Sequence, residues 1–333
     1  MSGSGPKPKR TSGSRLKTYS HLDRERRVPS EYELVTSRLL YYPERGFEVK
    51  TPLSAWYETH QRGSRLTGCD WERFSDPRET TYAKYTALAL KGETYIDGLL
   101  EAIQTTGYDR KLSREWRATL DRVLGPLRYP MHGFQMLAAY VGQMAPSGRI
   151  TTACLFQAAD EMRRIQRVAY RMTLLQGVDP AFGQESMNAW MRDPAWQPLR
   201  EAVERCLVTY DWGEALIALN VCIKPLFDEL FMTHLSKEAD LQDDHLLGQI
   251  FASLDEDCRW HREWTAALLR VAFEDNHDNR NVVQGWVTQW SALARRAVTG
   301  FDFLFQRSPA PAPALTDFGH KLLADIGVEA PAA

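Results

Sequence analysis

The 333-residue chain contains only five cysteines, Cys69, Cys154, Cys206, Cys222 and Cys258, and no CxxC pair among them. An odd, dispersed set excludes a disulfide framework and a CxxC-type zinc module, and the apolar helical surroundings of most of them mark reduced core residues. No run of about eighteen apolar residues occurs, which excludes a membrane-spanning helix. The basic N-terminus has no apolar stretch behind it, so a secretory leader is not expected and the expected location is the cytoplasm. Net charge is small, formally -2. That value hides eight Lys/Arg against two Asp/Glu in residues 1–30, a basic tail on an acidic body. The tail lacks interleaved aromatics and an amphipathic period, so neither nucleic acid nor a membrane is an expected partner. Period-2 alternation and fixed-period repeats are also missing, which leaves an all-α fold.

What the chain has is apolar and aromatic substance: 44% hydrophobic residues and 11% aromatic, enough for a large core. Residues 1–15 are a disordered basic leader by composition. Residues 16–75 form an extended arm, aromatic-rich and short of helical period. Its Tyr19, His21, Leu22, Tyr32, Tyr41, Tyr42, Trp56 and Tyr57 are expected to lie on a partner subunit. Residues 76–306 carry the helical domain. Helix is expected from the Asp76-Pro77 cap towards Ile103, over 113–144, 149–176 and 186–191, and from Trp196 to Leu235 with a kink at Pro225. It is expected again over 243–273 and 281–305. Trp286, Trp290 and Phe301 share one stripe of the last, core or subunit interface. Residues 307–333 read as a stiff Pro/Ala linker and a short amphipathic tail.

One helix breaks its own pattern. Ile150, Cys154, Gln157, Glu161, Arg164, Val168, Met172 and Leu175 recur at three- and four-residue steps, one face turned to a core. Three of the eight are polar, and a buried carboxylate or guanidinium is tolerated only when compensated. The run Asp160-Glu161-Met162-Arg163-Arg164 has the outline of the Asp-Glu-x-Arg-His segment with which four-helix carboxylate proteins hold iron, but Arg164 stands at the histidine. Asp257-Cys258-Arg259-Trp260-His261 keeps the histidine and places Cys258 at the glutamate. Two zinc-type ligands, Cys258 and His261, do not make a tetrahedral site. Asp211-Trp212-Gly213-Glu214 reads as a helix start or packing corner.

Three stretches carry a resemblance: PLRYPMHGFQMLAAYVGQMAPSGRITTACLFQAADEMRRIQRVAYR, YDWGEALIALNVCIKPL and KTYSHLDRERRVPSEYELVTSRLLYY. Together they resemble the hydroxylase β subunit of bacterial multicomponent monooxygenases, the toluene branch foremost, over about Lys17 to Phe305. The resemblance implies a ferritin-like helical bundle with additional helices, joined to α and γ subunits in an assembly with two copies of each. Effector protein, ferredoxin and reductase would be transient partners. It also implies a diiron centre in α that inserts oxygen from O₂ into aromatic hydrocarbons with NADH-derived electrons, and none in β. Mapped residue by residue, the lost metal positions fall at Met131, Glu161, Arg164, Lys224, Cys258 and His261, and no catalytic residue or metal ligand is expected in this chain. Alkene, isoprene and phenol hydroxylase β subunits are the nearest alternatives. A stand-alone diiron oxidase lacks its ligands here, and an unrelated helical binding module leaves the three stretches unexplained.

Overall fold

The computed structural model describes residues 28–37 and 51–331, which contain helices and no β-strand. The principal helices are α1 (Tyr82–Ile103), α2 (Arg114–Met144), α3 (Gly148–Gln176), α4 (residues 212–241), α5 (His245–Asp275) and α6 (Asp278–Val298). Each of the first five starts where a short polar side chain accepts a first-turn N–H: Thr81, Ser113, Ser147, Asp211 and Asp244. Asp211 is thus the helix start its motif suggested, and it also accepts from Ser64 and the Arg65 N–H.

Asp76 is not the cap of α1. Its buried carboxylate accepts from the N–H groups of Arg78 and Thr80 and from the Trp260 indole at 2.9 Å, so it closes a loop onto α5 and leaves the cap to Thr81. The single helix expected from Trp196 to Leu235 is two, Gln197–Leu207 and α4. The last long helix stops at Val298, seven residues short of Phe305, where Gly300 takes φ +89° and turns the chain into a short Asp302–Leu304 turn. The aromatic stripe is core: Trp286, Trp290 and Phe301 are all buried.

The hairpin α2–α3 and the hairpin α4–α5 pack side by side, with α2 on α4 and α3 on α5, closing a four-helix ring. Helix α1 lies outside against α5, and α6 covers α4. Phe134, Phe227, Phe231, Trp196 and Phe301 run through the interior as successive ring contacts of 4.8–5.8 Å. Gly133 lets the helix Gln197–Leu207 approach α2 closely, since a Cβ there would lie 2.4 Å from Val203. Helix α4 is irregular. It winds as a π-helix over Ile217–Ile223 and again over Glu229–His234, and Pro225, which cannot donate to the carbonyl four residues back, sits between the two.

The described part of the arm packs on its own bundle, burying Tyr32 and leaving Trp56 exposed. Tyr32 is 2% exposed and its hydroxyl accepts from the Asp76 N–H, which withdraws it from any partner. Ser37 accepts from the guanidinium of Arg149. Trp56 donates to Tyr140, and Tyr57 lies on α2 through the Gln143 carbonyl. Tyr19, His21, Leu22, Tyr41 and Tyr42 lie outside the described residues. At the other end, Pro313 falls in the first turn of a helix, Ala312–Asp325, where its missing N–H costs nothing. Leu315 and Leu323 of that helix are buried, and Glu238 accepts the N–H groups of Gln306, Arg307 and Ser308 just before it.

Candidate functional site

The polar face of α3 meets α4 and α5 at the centre of the ring. Arg164 is fully buried and donates from Nη1 to Glu161 at 2.9 Å and to Asp228 at 3.4 Å, and from Nη2 to the Cys258 sulfur at 2.8 Å. Lys224 donates to Asp228 and lies 3.1 Å from the same Glu161 oxygen. Two cations and two carboxylates therefore compensate each other with no water-facing member. One turn away, Gln157 and Asn220 exchange amide hydrogen bonds of 2.8 and 3.0 Å, and Asn220 also donates to Thr265. A second buried group lies beside the cluster. Asp160 accepts from the Tyr85 hydroxyl at 2.9 Å and stands 3.0 Å from His261 Nε2.

The titration behaviour follows from this burial. For Asp228 burial pushes the carboxyl up, but Lys224 and Arg164 together outweigh it and hold it below the usual carboxylate range. Burial opposes the charge on Arg164 and Lys224 as well, and their anionic neighbours overcome it. Burial, only partly offset by Arg164, keeps the Cys258 thiol neutral, an acceptor for Arg164 rather than a nucleophile. Burial and then the charge of Asp257 raise Asp160 well above its ordinary value. Burial, and then Lys224 and Arg164, lower His261 well below its own. The Asp160–His261 pair therefore keeps its shared proton on the carboxyl side, uncharged.

The structure thus brings Glu161, Arg164, Lys224 and Cys258 into one cluster and seats His261 next to it on Asp160. Met131 is buried on α2 and joins none of these hydrogen bonds. Sequence reasoning missed Asp228, although its spacing of four from Lys224 on one helix was a usable signal. It also passed over Asp160 and Asn220. Asp160 lies a helical step to the side of the Glu161 stripe and finds its partner a hundred residues away. As chemistry, the cluster is closed. A dinuclear metal centre needs carboxylates free to neutralise two cations, and here an ammonium and a guanidinium already hold both acids. The residues do not fit such a centre.

The family model for methane, phenol and alkene hydroxylases matches residues 54–276. The chain belongs to this family. Among hydroxylase relatives, the β subunit of the toluene-4-monooxygenase hydroxylase component of Ectopseudomonas mendocina is 34% identical over 304 residues, 89% of this chain and 93% of the relative. The solved structure of toluene bound in the resting active site of toluene 4-monooxygenase superposes with a TM-score of 0.81 at 34% identity, covering 91% of this chain and 99% of that one. Two components of one phenol 2-monooxygenase, both from Pseudomonas sp. strain CF600, also match. DmpL is 27% identical over 237 residues, 69% of each chain, and DmpN is 22% identical over 245 residues, 72% of this chain and 46% of its own length. Two phenol 2-monooxygenase components of one strain are thus similar in sequence to this chain, and DmpN is the longer.

Proposed function

We propose that this chain is the structural β subunit of a toluene-type monooxygenase hydroxylase. It would assemble with α and γ subunits, two of each, and hold the α helices that carry the diiron centre. That assembly would work in the cytoplasm with an effector protein, a ferredoxin and a reductase. The observation that carries the reading is the Glu161–Arg164–Asp228–Lys224 cluster. It supports a subunit whose bundle centre is a packed, neutral core, leaving oxygen chemistry and the choice of aromatic hydrocarbon to α. Rigid support around a metal-bearing neighbour is what such a site requires.

Iron content separates this reading from a chain with its own centre. The purified subunit alone is expected to hold far less than one iron per chain, whereas the hydroxylase assembled with its partners holds iron in proportion to α. Iron approaching two atoms per isolated chain would overturn the reading.

A further inference from the structure

Away from the bundle centre, the C-terminal helix Ala312–Asp325 builds a second feature. Only Leu315 and Leu323 of its fourteen residues are buried, so it lies over the bundle and is not wound into it. The chain beyond it turns at Gly327, with φ +72°, and is tied back to α6. Arg280 donates to the Gly327 carbonyl, and Gln284 exchanges hydrogen bonds of 2.8 and 2.9 Å with the backbone of Glu329. Helix and tail thereby wall a cleft against α4 and α6, about 450 Å³ in volume and open to solvent. Pockets that take small molecules run from about 300 to 1,000 Å³.

The cleft has an apolar floor and one fixed charge. Val221 and Leu226 of α4, Ala294 of α6, and Leu315 and Leu323 of the C-terminal helix line it, all buried. Cys222 and Ser291 complete the floor without charge: burial pushes the thiol up to about 12, and the hydroxyl donates to the Val287 carbonyl at 2.6 Å. Arg295 is the only fixed charge of the lining, and no Asp or Glu is among the described lining residues. It is half-buried. It makes no ion pair or side-chain hydrogen bond with the described residues, while its neighbour Arg296 pairs with Glu201. A half-desolvated guanidinium without an acceptor has shed water and gained no partner, which is costly for a charged group.

We infer that this cleft binds a small carboxylate with an apolar body, the body against Val221, Leu226, Leu315 and Leu323 and the carboxylate on the Arg295 guanidinium. The fork of N–H donors in arginine matches a carboxylate bidentately, and charge-assisted bonds of this kind are the strong ones. A neutral hydrocarbon would fill the floor and leave Arg295 unmet. Inorganic phosphate would bring more charge than one guanidinium neutralises and no apolar body for the floor. The site is independent of the proposed subunit role. Val221, Cys222 and Leu226 flank Lys224 on α4, so occupancy tightens the segment that carries one cation of the buried cluster.

The test titrates the purified full chain with octanoate and, separately, with 1-octanol, which has the same body without the charge. Calorimetry and the thermal melt report binding. Octanoate is expected to saturate at one per chain, at about millimolar concentration or below, and to raise the melting temperature. The alcohol is expected to bind at least about tenfold more weakly. Arg295→Met keeps the stem and removes the charge; it is expected to weaken octanoate by about tenfold or more and to leave 1-octanol unchanged. Gly319→Met adds a side chain to the wall, with its Cβ 3.4 Å from Leu226 Cδ2, and is expected to abolish binding of both. Gly319 lies within a helix, where glycine is intrinsically poor, so this variant is expected to fold. Octanoate binding that survives both substitutions lies elsewhere and overturns the inference, as does a failure to saturate by about 10 mM. Equal affinity for the alcohol would make the cleft a site for neutral molecules and overturns it as well.

Discussion

Arg164 shows at the scale of one side chain how this bundle centre is held. It touches two carboxylates and a thiol with no solvent contact, so removing it strands negative charge beside Glu161 and Asp228. Arg164→Met is expected to cost about 3–5 kcal/mol, whereas Glu161→Leu with Arg164→Met, which removes one charge of each sign, is expected to cost clearly less. Urea denaturation of the singles and the double decides it; equal losses would mean that the pair carries no coupling. The neighbouring acid and imidazole give a pH signature. Asp160 is raised, so its contribution is present below its unfolded value, about 3.9, and is lost as pH rises; His261 is lowered, so its contribution is present above about 6.5 and is lost as pH falls. Between those values the raised carboxyl and the lowered imidazole act in opposite directions and offset each other. A weaker pH dependence is therefore expected from about pH 4 to 6.5 than above it, where stability falls as pH rises. His261→Gln removes the compensation, and its stability should decline across that range relative to wild type; parallel profiles would exclude the shared proton. Of these groups, Glu161, Arg164, Cys258 and His261 were legible because motif spacing marks a helix face, and Lys224 came only with the family resemblance. Asp160 and Asn220 were not, because their partners come from helices whose rotation the sequence does not state.

At the scale of elements, α2, α3 and α5 could be read to within a few residues, since long periodic stripes and short polar caps act locally. The errors fall where a local signal was taken by a distant partner. Asp76-Pro77 has the form of a helix start, yet the Asp76 carboxylate serves a loop and the Trp260 indole. The arm residue Tyr32 looked like spare aromatic area because the Asp76 N–H that its hydroxyl accepts is 44 residues away. Close approach between elements is equally invisible in one dimension. Gly133 sits in the middle of a helix, where glycine is intrinsically poor, because Val203 of the Gln197–Leu207 helix occupies the space of its missing side chain. Gly133→Ala therefore improves propensity but overpacks the contact, and a net destabilisation of about 1–3 kcal/mol is expected. A variant as stable as wild type in a thermal melt would show that the two helices can part without cost.

At the scale of the whole molecule, the chain is a closed core with an open flank. The interior is full: aromatic rings, buried thiols and a compensated charge cluster leave its polar groups little to offer a substrate. Among the described residues the flank is α1, of which only Ile96 and Leu100 are buried. The exposed apolar positions of α3 could not be told from its buried ones in the sequence, because both recur at every third or fourth residue. Helical rotation separates the two faces, and only a packed structure fixes rotation.

The two wide turns of α4 have a consequence for insertions and deletions. A π turn holds one more residue than the α turn it replaces, and each residue in an α-helix advances the side chains by about 100°. Deleting a single residue within 217–223 would let that turn rewind to an ordinary α ladder with Lys224 and Asp228 still facing Arg164, whereas a deletion between Lys224 and Asp228 would turn the two apart by about that angle. Point substitutions can trade one polar group of the cluster for another; a shift in reading along α4 would dismantle it whole, which makes the length of this helix, as much as its composition, a fixed character of the chain.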